Sequence, residues 1–208
     1  MATGGLVQVK LDEKKLKTLE KEMAYIPMGL EAAVSRGINE TVKKTKTIIK
    51  QEMHDELGIK KAAIGKGIDT KRASFRKWIG FVYMTGKRIS LARFGVRRLA
   101  SKNLSYKISN KEGQKTIEYH PLKNRVFVQK GANAKTKHVW WIPEGKKDWV
   151  MLRGPSVSYA FDTNRTITRR VKNDIQENLF RRISRNAEAI TSGKARISKR
   201  LGYATDYK

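Results

Sequence analysis

The chain has 208 residues, no cysteine, and 46 Lys and Arg against 19 Asp and Glu, a formal net charge of +27. That length suits one sizeable domain or a domain with arms, and 39% hydrophobic content argues against wholesale disorder. The lack of cysteine excludes disulfides and thiolate metal sites and makes a reducing cytosol the expected compartment; no apolar run has the length of a signal peptide or of a spanning helix.

The first expected element is a short amphipathic helix from Leu11 to Met23, ended near Pro27. From Met28 to Leu57, apolar residues at 30, 34, 38, 42, 49, 53 and 57 keep to steps of four, with Thr45 in the gap. This is the stripe of a long helix that packs on a sheet or a partner, and Gly58 is its expected C-cap. Ile59–Ile68 reads as a short basic helix weakened by Gly65 and Gly67.

Beyond Ile68 the period becomes strand-like. Strands are expected at 78–84, 89–94, 104–108, 116–119, 125–129, 138–142 and 149–152, with glycine and asparagine clusters between them. Basic loops are expected at 95–103 and 130–137. A last helix runs from about Ser158 to Asn186, with an irregularity near Asn164, and the segment from Ile190 shows no apolar face. Helices, then strands, then helix reads as α+β: N-terminal helices, a central antiparallel β-rich body with basic loops, and a long C-terminal helix. The expected parts are an N-terminal arm (1–27), an α+β domain (28–187) and a basic C-terminal tail (188–208).

Catalytic chemistry is poorly supplied, so no enzyme activity is expected. His54, His120 and His138 are dispersed, and His54 with its acidic neighbours reads as a solvated helix end rather than a metal site. No cofactor or metal is expected. The run Gly80 to Arg88 resembles a phosphate loop but has one residue too many between its glycines and Arg88 where Ser or Thr should be, so it reads as a hairpin turn. Ser156 lacks the G-x-S-x-G setting of a nucleophile elbow.

The charge is lopsided. Residues 59–161 hold 24 Lys and Arg against only Asp69, Glu112, Glu118, Glu144 and Asp148, whereas residues 1–58 are almost neutral. An excess of this kind repels itself unless it meets a polyanion or an acidic partner. The residues expected to face that partner are Arg72, Arg76, Lys87, Arg88, Arg93, Arg97, Arg98, Lys102, Lys130, Lys135 and Lys137. They interleave with aromatics, a pattern that suits phosphate contacts plus base stacking. Aromatics in alternating strands more often face a core, which is the first expectation for Trp78, Phe94, Trp140 and Trp141. No base-reading module is present, and the helices lack the borders of membrane anchors.

Several motifs in series resemble the minor tail protein Z family of tailed phages, also called tail completion proteins. They are Ala33-Val-Ser-Arg-Gly-Ile38-Asn39, Ile59-Lys-Lys-Ala-Ala-Ile64, Ile89-Ser-Leu-Ala-Arg-Phe94, Val126-Phe-Val128, and Leu152-Arg-Gly-Pro-Ser-Val157 before a long helix. Order and approximate spacing agree over residues 28 to about 185; the Trp140-Trp141 pair, the first 25 residues and the chain beyond Gly193 depart from the family pattern. The resemblance implies a structural virion protein, assembled in the host cytoplasm, that completes the head-proximal end of the tail and joins it to the head. It implies a homo-oligomeric ring, sixfold as is usual in tails. Its partners would be the tail terminator or tube, a head-completion or portal-side ring, and the end of the tape measure, with nonspecific contact to genome DNA. A sequence-nonspecific nucleic-acid-binding protein is the alternative. A phosphoryl-transfer enzyme is disfavoured by the scarcity of carboxylates.

Overall fold

The computed structural model describes residues 5–10, 13–108, 113, 115–117, 125–130 and 137–197. In chain order the elements are β1 (Leu6–Lys10), α1 (Glu13–Met23), α2 (Gly29–Leu57), α3 (Lys61–Gly65), β2 (Ile68–Lys71), β3 (Ile79–Met84) and β4 (Arg88–Ser90). A 3-10 turn (Leu91–Arg93) follows, then β5 (Arg97–Arg98), β6 (Leu104–Tyr106), β7 (Lys115–Ile117), β8 (Arg125–Lys130), β9 (Lys137–Ile142), β10 (Val150–Met151), β11 (Arg153–Ser156), α4 (Val157–Thr163) and α5 (Arg165–Thr191). The fold is α+β, with two long helices and several small sheets.

The chain forms two compact units, each drawn from separate stretches of the sequence. Among the described residues, the helical unit contains those of Leu6–Ile49, Asp69–Tyr83 and 165–197; the strand-rich unit contains Gly5 and those of Lys50–Ile68 and Met84–Asn164. The first 27 residues, expected as an arm, include a strand that the sequence pattern does not reveal. β1 pairs antiparallel with β3 over its whole length, from Leu6 opposite Tyr83 to Lys10 opposite Ile79.

In the helical unit the sheet order is β1-β3-β2. β3 crosses α2 where Gly80 faces Val42 and Ile38. Val34, Ile38, Val42, Thr45 and Ile49 are all buried, so the predicted stripe is the helix's packed face. Each fully buried aliphatic side chain there contributes about 1.5–3 kcal/mol. On another side of α2, Gly37 meets Ile183 of α5. Asn39 clasps the chain before β3: its Nδ2 donates to the Ala73 carbonyl at 3.1 Å and its Oδ1 accepts from the Ala73 N–H at 2.8 Å. Arg185 pairs with Glu40 at 2.5 Å, and Arg182 donates to the Thr41 hydroxyl at 3.2 Å.

The strand-rich unit begins with the end of α2. That helix stops at Gly58, whose φ of +66° and N–H bond to the His54 carbonyl make it the expected C-cap. His54, expected to be solvated, is half-buried, with Nδ1 2.6 Å from the Ile59 carbonyl oxygen. Three small sheets follow: β5-β6-β7, β10-β9-β8 and β11-β4. Phe94 and Val157, the first residue of α4, are buried. Ser156 caps α4 by accepting from the Tyr159 N–H at 3.1 Å. Asn164, extended at φ −96° and ψ 90°, divides α4 from α5, which is the irregularity expected there.

Several sequence expectations are corrected. Ile89–Phe94 is not one strand: strand pairing ends at Ser90, and the chain then turns, closed by the Phe94 N–H bonding back to the Leu91 carbonyl. The segment Gly80–Arg88 is not a hairpin, since β3 and β4 belong to different sheets. The expected loop 95–103 contains β5 and the start of a hairpin, with Arg97 opposite Ser105 and Lys102 in the left-handed region at φ +65°. β2 and β11 are further strands beyond those expected; β11 carries Pro155 in a two-stranded sheet, where no further neighbour needs its missing N–H. Leu152 is half-buried, and its backbone joins Val139 and Leu91. Helix α5 reaches Thr191, so the first residues assigned to the basic tail are helical and Ile190 is buried.

Candidate functional site

A groove of about 310 Å³ opens in the strand-rich unit between α3 and the segment from Thr85 to Arg93. Lys60 and Lys66 approach it from the two ends of α3. Lys87, Arg88 and Arg93 approach from the other side, and all five of these side chains are exposed. Among the described residues that line it, none is acidic. Cations crowded round a shared concavity raise the local potential and favour an anion there.

Local structure explains the groove's width. The Gly67 carbonyl accepts from the Thr85 N–H at 2.9 Å, which ties the end of α3 to the start of the opposite wall. A Cβ at Gly67 would lie 2.9 Å from Val157 Cγ2 and 3.4 Å from Thr85 Oγ1, so only glycine permits this approach. Val157 forms part of the lining. On the far wall, β4 pairs with β11, and the 3-10 turn sets Arg93 beyond the paired residues.

His138 of β9 joins the same lining. Its Nδ1 lies 3.0 Å from the Ser90 hydroxyl, which fixes the imidazole at the groove's edge. Beyond it the face of the β10-β9-β8 sheet is aromatic. The His138 and Trp140 rings are 6.1 Å apart, Trp140 and Trp149 6.0 Å, and Phe127 and Trp149 5.0 Å, each pair edge to face.

Of the basic residues singled out in the sequence, Lys87, Arg88 and Arg93 meet in this groove. Arg97, Arg98 and Lys102 lie in the same unit but on the β5–β6 hairpin, all exposed. Lys130 and Lys137 stand opposite each other at the end of the β8–β9 pair. Lys135 lies outside the described residues. Arg72 and Arg76 belong to the helical unit, where Arg72 lines a second hollow of about 390 Å³ with Arg36, Lys43, Lys46 and Glu40. The eleven residues therefore do not form one site.

Three lining residues escape sequence reasoning. Lys60 and Lys66 sit in a segment that reads as a basic helix, so their charge is visible but their direction is not. Nothing in the sequence links His138 to Ser90, which depends on how two separate sheets meet. The aromatic expectations divide as well. Phe94 is buried as expected, Trp78 is half-buried with its N–H bonded to the Phe75 carbonyl, and Trp140 and Trp141 are only half-buried.

Among the described residues, no group of three or more His, Cys, Asp or Glu could hold a metal ion. No helix among them is long and apolar enough to cross a membrane. No protein-family model, curated protein or solved structure matches the chain.

Proposed function

We propose that the protein is a structural component of a tailed-phage virion that completes the head-proximal end of the tail and joins it to the head. Its basic surface would face genome DNA or an acidic neighbouring ring. The observation that carries the electrostatic half of this reading is the groove: five exposed cations and a histidine converge where no described lining residue is acidic. Five carboxylates cannot neutralise 24 Lys and Arg over residues 59–161, so the excess needs an external counter-charge.

The tail half rests on the series of motifs, and their residues hold framework positions. Asn39 clasps Ala73, Ile64 and Phe94 are buried, and Ser156 caps the helix that follows the Arg-Gly-Pro-Ser segment. A scaffold family held together by packing rather than by chemistry would use its motifs in this way. Closed rings with symmetric contacts are the usual assembly for such components, and a sixfold ring is the proposed state.

The second reading, a sequence-nonspecific nucleic-acid-binding protein, draws on the same groove. Binding of the purified protein to random duplex DNA across a salt series separates the two. Useful affinity near physiological salt with a steep salt slope favours the free-standing binder. Weak binding, with incorporation into tails or rings seen by electron microscopy, favours the structural role. In that role, changing Arg97, Arg98 and Lys102 together to Glu should leave folding intact and block assembly or DNA retention. Normal virions from that variant would mean the hairpin is only a solvated surface.

A further inference from the structure

We infer that the basic groove and the aromatic face beside it form one binding surface for single-stranded nucleic acid, phosphates in the groove and bases on the rings. The inference rests on the proposal that the basic surface meets nucleic acid, and it specifies strandedness. His138 belongs to both halves. It lines the groove with Lys66, Lys87 and Arg88, and its ring adjoins Trp140.

Strand register puts the aromatic residues on one face. Phe127 is opposite Trp140, Gln129 opposite His138, and Met151 opposite Trp140. Residues directly across an antiparallel pair project to the same side. The Trp140 indole N–H donates to the Gln129 carbonyl at 3.3 Å, which orients that ring. Val126 and Val139 alternate to the other side and are buried, so the sheet already has its core face.

The aromatic side is left open. Trp149 is 50% exposed. A cluster serving only as core would bury both of its tryptophans. Exposed apolar surface of this kind marks an interaction site. The charge beside it selects the partner: a basic protein surface would be repelled, whereas a strand offering alternate phosphates and π-faces matches both halves. A duplex hides its base faces in the stack and could use the groove alone.

The test uses the full chain, fluorescence anisotropy, and three probes of about 12 nucleotides. These are oligothymidylate, oligouridylate and a mixed-sequence duplex. Oligothymidylate or oligouridylate should bind more tightly than the duplex, and the tighter of the two identifies DNA or RNA as the preferred strand. Trp149→Ala should weaken single-strand binding about 5- to 100-fold and change duplex binding little. Trp149→Phe should restore most of the affinity, which a mere folding defect in the alanine variant would not explain. Lys66→Gln with Arg88→Gln should weaken all probes and flatten the single-strand salt slope by about 0.7 for each phosphate no longer neutralised. Equal binding of duplex and single strands, unaffected by Trp149→Ala, overturns the inference. So does a Trp149→Ala protein that fails to self-associate or enter tails while binding oligonucleotides normally, since the face would then belong to a protein interface. Either result leaves the tail-junction proposal standing, because incorporation of the unmodified protein into tails tests that separately.

Discussion

Replacing Gly37 with alanine sets two effects of opposite sign against each other. Gly37 lies inside α2, where alanine is intrinsically better by about 1 kcal/mol. An exposed site would therefore gain stability. Here the new Cβ would lie 2.3 Å from Ile183 Cγ1 and 2.9 Å from both the Cα and the backbone nitrogen of Ile183. Carbon atoms pack comfortably at about 3.5–4.0 Å, so the overlap exceeds about 1 Å with the side chain. Ile183 is fully buried and cannot swing into solvent, and its backbone is part of α5. The two helices must separate. Overpacking of this kind costs about 1–3 kcal/mol, and a backbone obstacle places it at the upper end. Subtracting the propensity gain leaves a net loss of about 2 kcal/mol, or a Tm lowered by about 4–8 °C for a chain of this size. Urea unfolding followed by circular dichroism should show a lower midpoint with an unchanged slope. Combining the change with Ile183→Ala should cost less than the sum of the two single changes, because the truncated side chain relieves part of the overlap. A Gly37→Ala protein more stable than the parent, by the amount helix propensity alone supplies, would refute the close crossing of α2 and α5.

Thr45 is fully buried and its hydroxyl has no hydrogen-bond partner among the described residues, so Thr45→Val should raise stability by about 1 kcal/mol in the same urea experiment. Asn39→Ala removes both bonds to Ala73 and should cost about 1–3 kcal/mol, with faster amide exchange at Ala73 as a direct readout. Val157→Asp puts a carboxylate at a fully buried position and should abolish soluble expression, whereas Leu152→Asp, at a half-buried position, should remain soluble with a lowered melting temperature.

The long elements were legible because their signals are local. A stripe in steps of four forms a helix wherever it packs, and α2 begins and ends within a residue of expectation. The break at Asn164 showed in the same way, as a step of six among steps of four. Short strands carry too few residues to show a period. β5 has two residues and β11 four, and each is a strand only because a partner supplies its hydrogen bonds, across a hairpin for β5 and from a distant part of the chain for β11. Ile89–Phe94 alternates like a strand, yet the Phe94 N–H bonds back to the Leu91 carbonyl and closes a turn. β1 looked like an arm because its pairing with β3 joins residues more than sixty positions apart.

The candidate site divides along the same line. By itself the sequence determined how much charge there is, in which half of the chain it lies, and that few carboxylates are near enough to offset it. These follow from composition and need no coordinates. It also determined the two long helices, because helical periodicity is a property of neighbours. Only the tertiary structure decided that Lys60, Lys66, Lys87, Arg88 and Arg93 share a groove, that Arg72 and Arg76 lie in a different unit, and that His138 joins the cations to an aromatic face. The reason is physical: charge adds along a chain, whereas a site depends on direction, and side-chain direction at these positions is set by strand register and by turns closed with bonds between remote residues.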